Sequence, residues 1–540
     1  MTRRERSRGG WSWPPRCGTC TGTAGSSSAR GFSASPSRQA TTSSVREGKG
    51  TVVTRPKERS LARSVIGGAG LIAGAGAVNK LFALLAAPVL TVALGPGPYG
   101  VVALLTTVTS LGTLFALAGV DMSYARFYFS ESSTEGQAVE RFCWRFALAA
   151  ALPISALSLV CWWYGSGKAG LPSSLASMVG AGIFLAALNT MAATRQRLRE
   201  GYLRIAVGSV ATGFAGVALS IVLALYWRKD AWPLLLGGVA GMVVGVLVLG
   251  LPRPSDLARP SGLPPHRRWE VLRLGASGAA MAPLYWLMTS ADRWIIGAWT
   301  GQDAVGVYSF AAGMGQVGIL LNSAITYAWF PEMSRAYEAS RDEAPAAIGR
   351  MWGRLVAGLM VAWVAVTAAG ADAIRLLADP RFHGGGSYVP WLAGGVFFYG
   401  IASLSNTGLL LRKDLRPAVG WWTAGAVADV GLTVLLVVRY GPAGAAVAAC
   451  ASFALIAGGV MWSSQRRFRL AIPWSRLAVA ALVAVLAGAS MFPPWASAPI
   501  PSLLRKLPVG LAVGSLLLWV VAPDWMRRLI SGRGKNKEVK

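Results

Sequence analysis

The stretch Leu94-Gly95-Pro96-Gly97-Pro98-Tyr99-Gly100-Val101 separates two long apolar runs, residues 65–93 and 99–120. Glycine and proline leave these eight residues little choice but to turn, so the chain doubles back between the runs. A hydrocarbon core of about 30 Å takes roughly twenty helical residues at about 1.5 Å rise each, and both runs reach that length. The stretch has a second copy at an offset of 206 residues: Thr300-Gly301-Gln302-Asp303-Ala304-Val305-Gly306-Val307 joins the runs 274–299 and 304–328. Two unrelated turns would explain the pair, but each follows the first run of a six-run block, which favours duplication. Two blocks in the same orientation predict lobes related by an axis along the membrane normal, with a binding site between them near the midplane.

Working outward, the further runs are 143–164, 172–193, 204–227, 232–251, 352–374, 388–411, 417–438, 442–463, 475–492 and 504–522. The expected fold is therefore an all-α integral membrane protein of about 14 transmembrane helices, two pseudo-symmetric six-helix lobes plus two C-terminal helices. In residues, the first lobe is 64–251, a linker 252–273, the second lobe 274–463, and the extra helices 474–522 with a basic tail at 523–540. Residues 1–63 are rich in Arg, Ser, Thr and Gly, with only Glu5 and Glu47 acidic before Arg55. They are expected to be a disordered cytoplasmic tail, or to precede a true start near Val52 or Val53, and they lack the apolar core of a signal peptide.

Composition agrees with the runs. Hydrophobic residues make up 54% of the 540 and charged residues 14%, with a mean hydropathy of +0.48, whereas soluble domains carry about 25% charge. A barrel would alternate with period two, and these runs are continuous. The 65 glycines suit helices packed closely in lipid. A net charge of +29 would suggest nucleic acid in a soluble chain, but here the cations cluster between runs. With both termini in the cytoplasm, 42 of the 52 Lys and Arg fall on the inside, 8 on the outside and 2 within runs. Every inside loop outscores its outside neighbours, so an even number of crossings is expected, and nucleic acid is not an expected partner.

Specific residues add a family likeness. Asn79-Lys80-Leu81, Leu94-Gly95-Pro96, Tyr99-Gly100, Ala118-Gly119 and Ala125-Arg126 resemble the opening of polysaccharide flippases in the multidrug/oligosaccharidyl-lipid/polysaccharide exporter superfamily. Ala291-Asp292-Arg293-Trp294-Ile295-Ile296-Gly297, Val305 to Ser309, Phe330-Pro331 and Ser334 resemble the start of the second lobe in that family. The resemblance implies a two-lobe transporter in the bacterial cytoplasmic membrane, moving undecaprenyl-pyrophosphate-linked oligosaccharide outward for surface polysaccharide such as O-antigen. It implies membrane lipids, a polysaccharide polymerase and glycosyltransferases as partners. An efflux antiporter of the same superfamily and a lipid II flippase are the alternatives. A membrane glycosyltransferase or polymerase would need larger outside loops.

Such a substrate is anionic at its phosphates, so cations at depth are the candidate binding residues. Lys80 lies near the middle of a run, where a cation costs about 2.5–3.5 kcal/mol to insert; it faces either water and an anion, or a local partner on its own helix. Arg126 stands at the expected cytoplasmic mouth, to greet phosphate or simply to set topology. Arg293 either faces the cavity or snorkels toward Trp299. Asp292, beside it, is a structural partner or an acid for a coupling ion. Asp429 is the clearest isolated carboxylate at depth, a proton or sodium site or a neutral hydrogen-bonding group. Asp372 and Asp379, near the outer end of a run, are expected to be exposed.

Enzymatic chemistry finds little material. His266 and His383 lie in loops without an acid or nucleophile in a recognisable frame, no phosphate-binding lysine motif occurs, and Cys17 with Cys20 is a lone C-x-x-C. No cofactor or metal is expected beyond a coupling H⁺ or Na⁺.

Overall fold

The computed structural model describes residues 58–129, 133–412 and 414–523. Most of the expected basic tails, including Cys17, Cys20 and the proposed start, lies outside the described residues. The described residues form one compact unit. Its first helix, α1 (Glu58–Leu94), starts earlier than the apolar run alone, and α2 (Pro96–Leu117) follows after Gly95. Ala118 and Gly119, both in the left-handed region, bend the chain into α3 (Val120–Phe127). The first half is completed by α4 (Ser133–Gly165), α5 (Ala176–Leu198), α6 (Tyr202–Tyr226) and α7 (Trp232–Leu249). A short α8 (Pro254–Ala258) lies in the linker.

The second half begins with α9 (Pro265–Ala279) and α10 (Ala282–Thr300), then α11 (Gln302–Gly315) and α12 (Gly318–Ala339). It continues through α13 (Ala344–Leu377), α14 (Val389–Ser405), α15 (Thr407–Leu411), α16 (Arg416–Tyr440) and α17 (Pro442–Arg467). The chain then adds α18 (Trp474–Met491) and α19 (Pro499–Val521). Among the described residues, thirteen helical segments are long and apolar enough to cross a membrane. The run expected at 274–299 is not one of them: it is helical but divided between Ala279 and Ala282, and its second piece carries Asp292 and Arg293.

The duplicated turn is structural as well as sequential. Gly95 (φ 75°, ψ −179°) and Gly301 (φ 87°, ψ 175°) take the same backbone conformation, one that a side chain would strain, and each starts a helix at the next residue. Five residues on, Gly100 and Gly306 meet each other. A Cβ on Gly100 would strike the Gln302 carbonyl oxygen, and one on Gly306 the Pro96 carbonyl oxygen. Matching positions of α2 and α11 therefore cross back to back, as a two-fold relation between the halves requires.

Each half has a buried centre, and that of the first is continued by Ile296, Val305 and Tyr308 of the second. In the first, Trp144, Ile183, Leu105 and Tyr124 from α4, α5, α2 and α3 form the buried centre. In the second, α10, α14, α16 and α17 pack around Met288, Ala402, Ala426 and Ile456. The added helices α18 and α19 share a core with α13 through Ala480, Ala484, Leu517, Trp352 and Val364.

The halves meet at both ends and in the middle. At the end carrying the duplicated turns, Tyr99 lies between Phe310 and Phe382, with ring centroids 6.2 and 5.5 Å away, and the Asp379 amide donates to Thr91 Oγ1 at 3.1 Å. At the opposite, arginine-rich end, Gly119 and Gly275 bring α3 and α9 into backbone contact, and Ser123 Oγ donates to the Val271 carbonyl at 2.6 Å. Between these ends, Trp286 Nε1 donates to the Thr107 carbonyl at 2.9 Å and Trp294 Nε1 to Thr107 Oγ1 at 2.8 Å. Trp294 is thus a clasp between α10 and α2.

Asp372 is fully buried, against the expectation of exposure. Lys506 Nζ, itself 2% exposed, reaches its Oδ2 at 2.7 Å and also donates to the Ala368 carbonyl at 3.0 Å; Ser502 Oγ donates to the same carboxylate at 2.8 Å. The reason is the length of α19, which begins at Pro499 and carries Lys506 along α13 instead of leaving it in a loop.

Candidate transport site

The candidate site is built on α10, whose residues fall into two faces. Trp286 and Trp294 point to α2, while Tyr285, Thr289 and Arg293, spaced by four, form a neighbouring stripe. That stripe borders a cavity of about 270 Å³ enclosed by α10, α11, α12, α14 and α17. Gln316, just past the end of α11, and Tyr399 of α14 complete its polar and aromatic wall. Arg293 is half-buried, and its Nε is enclosed without a hydrogen-bond partner.

Asp292 shares the cavity wall with Arg293, but its carboxylate is committed elsewhere. Tyr308 OH donates to Asp292 Oδ2 at 2.6 Å, and the Arg293 amide donates to Oδ1 at 2.8 Å. Both Asp292 and Tyr308 are buried, at 7% and 0% exposure. Asp429 of α16, 1% exposed, lies close enough for its charge to act on Asp292 and on Tyr308. Its Oδ1 has no hydrogen-bond partner, and the hydroxyl of Ser452 on α17 stands beside the carboxylate. The carboxylate that looked isolated in the sequence therefore belongs to a buried cluster of Asp292, Tyr308 and Asp429, beside Arg293. Tyr308 was missed: its hydroxyl sits in an apolar run, and no spacing marks it as the partner of an acid sixteen residues earlier.

Lys80 lies outside this cavity, on the face of α1 turned to the other half. Along that face Gly76 approaches Leu320 of α12, Ala87 packs with Phe310 and Phe382, and Thr91 bonds Asp379. Lys80 is spaced four residues from Gly76 and seven from Ala87, so it shares their stripe. The 206-residue offset maps it onto Trp286, which likewise faces the opposite half. Lys80 is half-buried and, among the described residues, has no ion pair or hydrogen bond from its amine. Its neighbour Asn79 points the other way, donating from Nδ2 to Ser209 Oγ at 2.9 Å.

Arg126 is exposed in the last turn of α3, at the arginine-rich end and apart from the cavity. A tighter arrangement occurs elsewhere in the first half, one that no spacing in the chain singles out. Glu140, 7% exposed, accepts from Arg195 Nε at 2.8 Å and pairs with Arg199 at 3.3 Å, tying α4 to α5. Among the described residues, no group of three His, Cys, Asp or Glu side chains is arranged to hold a metal ion.

The fold has well-defined counterparts. The structure aligns with the lipid II flippase MurJ in an inward closed conformation (TM-score 0.65, 12% identity), covering 85% of this chain and 99% of that one. It also aligns with an inward-facing multidrug resistance MATE transporter of the MOP superfamily (TM-score 0.53, 16% identity, 72% and 94% covered). A third counterpart is the Vibrio cholerae MATE transporter VcmN (TM-score 0.50, 12% identity, 76% and 98% covered). At these identities the likeness is one of fold alone, a fold this chain shares with these flippase and transporter structures. No curated protein matches the sequence. The sequence profile of the family described as "Polysaccharide biosynthesis protein" matches residues 89–372, just over half of the chain. The chain belongs to that family.

Proposed function

We propose that this protein is a flippase that carries undecaprenyl-pyrophosphate-linked oligosaccharide from the cytoplasmic to the outer leaflet of a bacterial cytoplasmic membrane, by alternating access between its halves. The observation that carries the reading is Lys80, an amine without a protein counter-charge on the face of α1 turned to the other half. A cation at that depth needs water or an anion, and a pyrophosphate supplies the anion. Arg293 adds a second cation on the cavity wall, and Arg126 lies at the arginine-rich end, which the positive-inside bias assigns to the cytoplasm together with both termini. Asp292 and Asp429 form the coupling site: two buried carboxylates near each other favour taking up a proton or a sodium ion. The role is transport and not catalysis, and the ion gradient supplies the work. A polysaccharide polymerase and glycosyltransferases would consume and supply the cargo.

The test is translocation of a fluorescent polyprenyl-pyrophosphate oligosaccharide in proteoliposomes under imposed proton or sodium gradients. Wild type should move the lipid, Lys80→Ala should abolish movement while remaining folded, and Asp429→Asn should remove the dependence on the gradient. Export of a cationic dye with no lipid movement would place the protein with the efflux antiporters instead. A lipid II flippase is the second reading, favoured by the alignment with MurJ over 99% of that chain. Exchanging the oligosaccharide for a peptide-bearing head separates the two.

A further inference from the structure

The cavity beside Arg293 is lined by aromatic rings and by unspent polar groups. Tyr285 and Tyr399 lie 6.0 Å apart by ring centroid, and Trp422 and Phe453 brace them from behind, with Tyr399 6.1 Å from Trp422 and 6.0 Å from Phe453. The four rings come from α10, α14, α16 and α17, so the wall exists only in the folded second half. Tyr285, 39% exposed, opens it to the outside. Gln316 and Arg293 line the same cavity, Arg293 two turns along α10 from Tyr285. Among the described residues the Tyr285 and Tyr399 hydroxyls and the Gln316 amide make no side-chain hydrogen bond.

We propose that this cavity is a subsite for one sugar ring of the carried glycan, a proposal that rests on the flippase reading and names what the second half recognises. A pyranose presents C–H groups on its face and hydroxyls around its edge, which matches a lining that combines packed rings with free donors and acceptors. Size agrees: about 270 Å³ lies just below the usual range of roughly 300–1,000 Å³ for ligand pockets, room for one ring and not for a whole repeat unit. Other occupants fit less well. A hydrocarbon tail would leave the guanidinium, the amide and the hydroxyls unpaired. An organic cation would gain from the rings but meet Arg293. A bare phosphate would gain nothing from Tyr285 or Tyr399.

The experiment uses the full chain in detergent and two radiolabelled ligands, a polyprenyl pyrophosphate bearing a trisaccharide and the same lipid without sugar. Wild type should bind the glycosylated lipid about tenfold more tightly, a factor in keeping with aromatic contacts of this kind. The pair Tyr285→Leu with Tyr399→Leu should bring the ratio of affinities to about one, whereas Tyr285→Phe with Tyr399→Phe should keep most of it. Gln316→Leu, which leaves the rings in place, should lower the ratio about threefold, the loss of one hydrogen bond. An equal affinity of wild type for both lipids, or a ratio unaffected by the Leu pair and by Gln316→Leu, overturns the proposal. The ratio does not depend on transport: a preserved ratio without movement in vesicles would defeat the flippase reading alone, and movement without a ratio would defeat the subsite alone.

Discussion

The two halves start from the same plan and put it to different use. In the first, α1 runs unbroken from Glu58 to Leu94 and α2 from Pro96 to Leu117. In the second, the counterparts are each broken, between Ala279 and Ala282 and between Gly315 and Gly318. The charges at depth follow the same division. Among the described residues, the first half carries Lys80 alone on its inter-half face, while the second carries Asp292, Arg293 and Asp429 in or beside a cavity. At the positions 206 residues before Asp292 and Arg293 stand Ala86 and Ala87, both 3% exposed. The repeat thus fixes where helices run and where they cross, and side-chain substitution on that frame decides which half holds the chemistry. Broken helices belong with that second role, since they release backbone groups and shape a cavity that an unbroken helix would fill.

The comparison can be broken hardest at the buried pair that holds the added helices to the second half, which has no counterpart in the first. Lys506→Met leaves the buried Asp372 carboxylate with only the more distant Arg375, 3.7 Å from Oδ1, as its cation, so the cost is expected at the low end of the about 3–5 kcal/mol that breaking a buried pair carries. The midpoint of thermal unfolding of the purified protein should fall accordingly, and adding Asp372→Leu should recover most of the loss. A single variant as stable as wild type would mean that α19 is held by its apolar contacts alone.

Next in size is the crossing that makes the halves alike. Gly100→Ala and Gly306→Ala each place a methyl group against the backbone of the partner helix, and overpacking of this kind costs about 1–3 kcal/mol. The two should lose stability to a similar extent in the same thermal assay. Loss in one alone would show that the relation between the halves is not symmetric at its own axis.

The carboxylate cluster sharpens the difference instead. Tyr308→Phe removes the hydroxyl that donates to Asp292 at 2.6 Å, and a bond to a charged group is worth about 1.5–3 kcal/mol, of which a neutralised or ion-bound carboxylate would recover a part. The expected result is a modest loss of stability together with an altered response of lipid movement to the imposed gradient. An unchanged response would separate Tyr308 from the coupling site.

The smallest effect is expected at the surface. Hydrogen bonds from the Arg381 side chain and amide hold the Asp379 carboxyl below its usual range. A group lowered in this way contributes stability above its unfolded-state pKa and loses it as pH falls through the folded value. Asp379→Asn should therefore be nearly silent near neutrality and should remove part of the acid sensitivity where the 3₁₀ helix Pro380–Tyr388 joins α13 to α14 beside Thr91, as read by hydrogen exchange at that end. Equal acid sensitivity in the variant would assign it to other groups.

Much of this molecule is legible before it is folded, and the reason is physical. Lipid forces each crossing to be a long apolar helix, so length and hydropathy locate the helices, and the Gly-Pro turns with their copy reveal the repeat. Cations and acids at depth are conspicuous there because they are costly, which is why Lys80, Asp292, Arg293 and Asp429 stand out. Their partners do not stand out. Tyr308, Tyr285 and Tyr399 are ordinary members of apolar runs, Lys506 lies at the start of the run 504–522 with nothing to mark its partner, and Asp372 reads as exposed until α19 covers it. The sequence by itself determined an all-helical, duplicated membrane protein with a few expensive charges, because the bilayer penalises each residue locally. Only the tertiary structure decided which of those charges face one another, which face a cavity and which are spent on structure, because that depends on helix rotation and crossing, set by contacts between residues far apart in the chain.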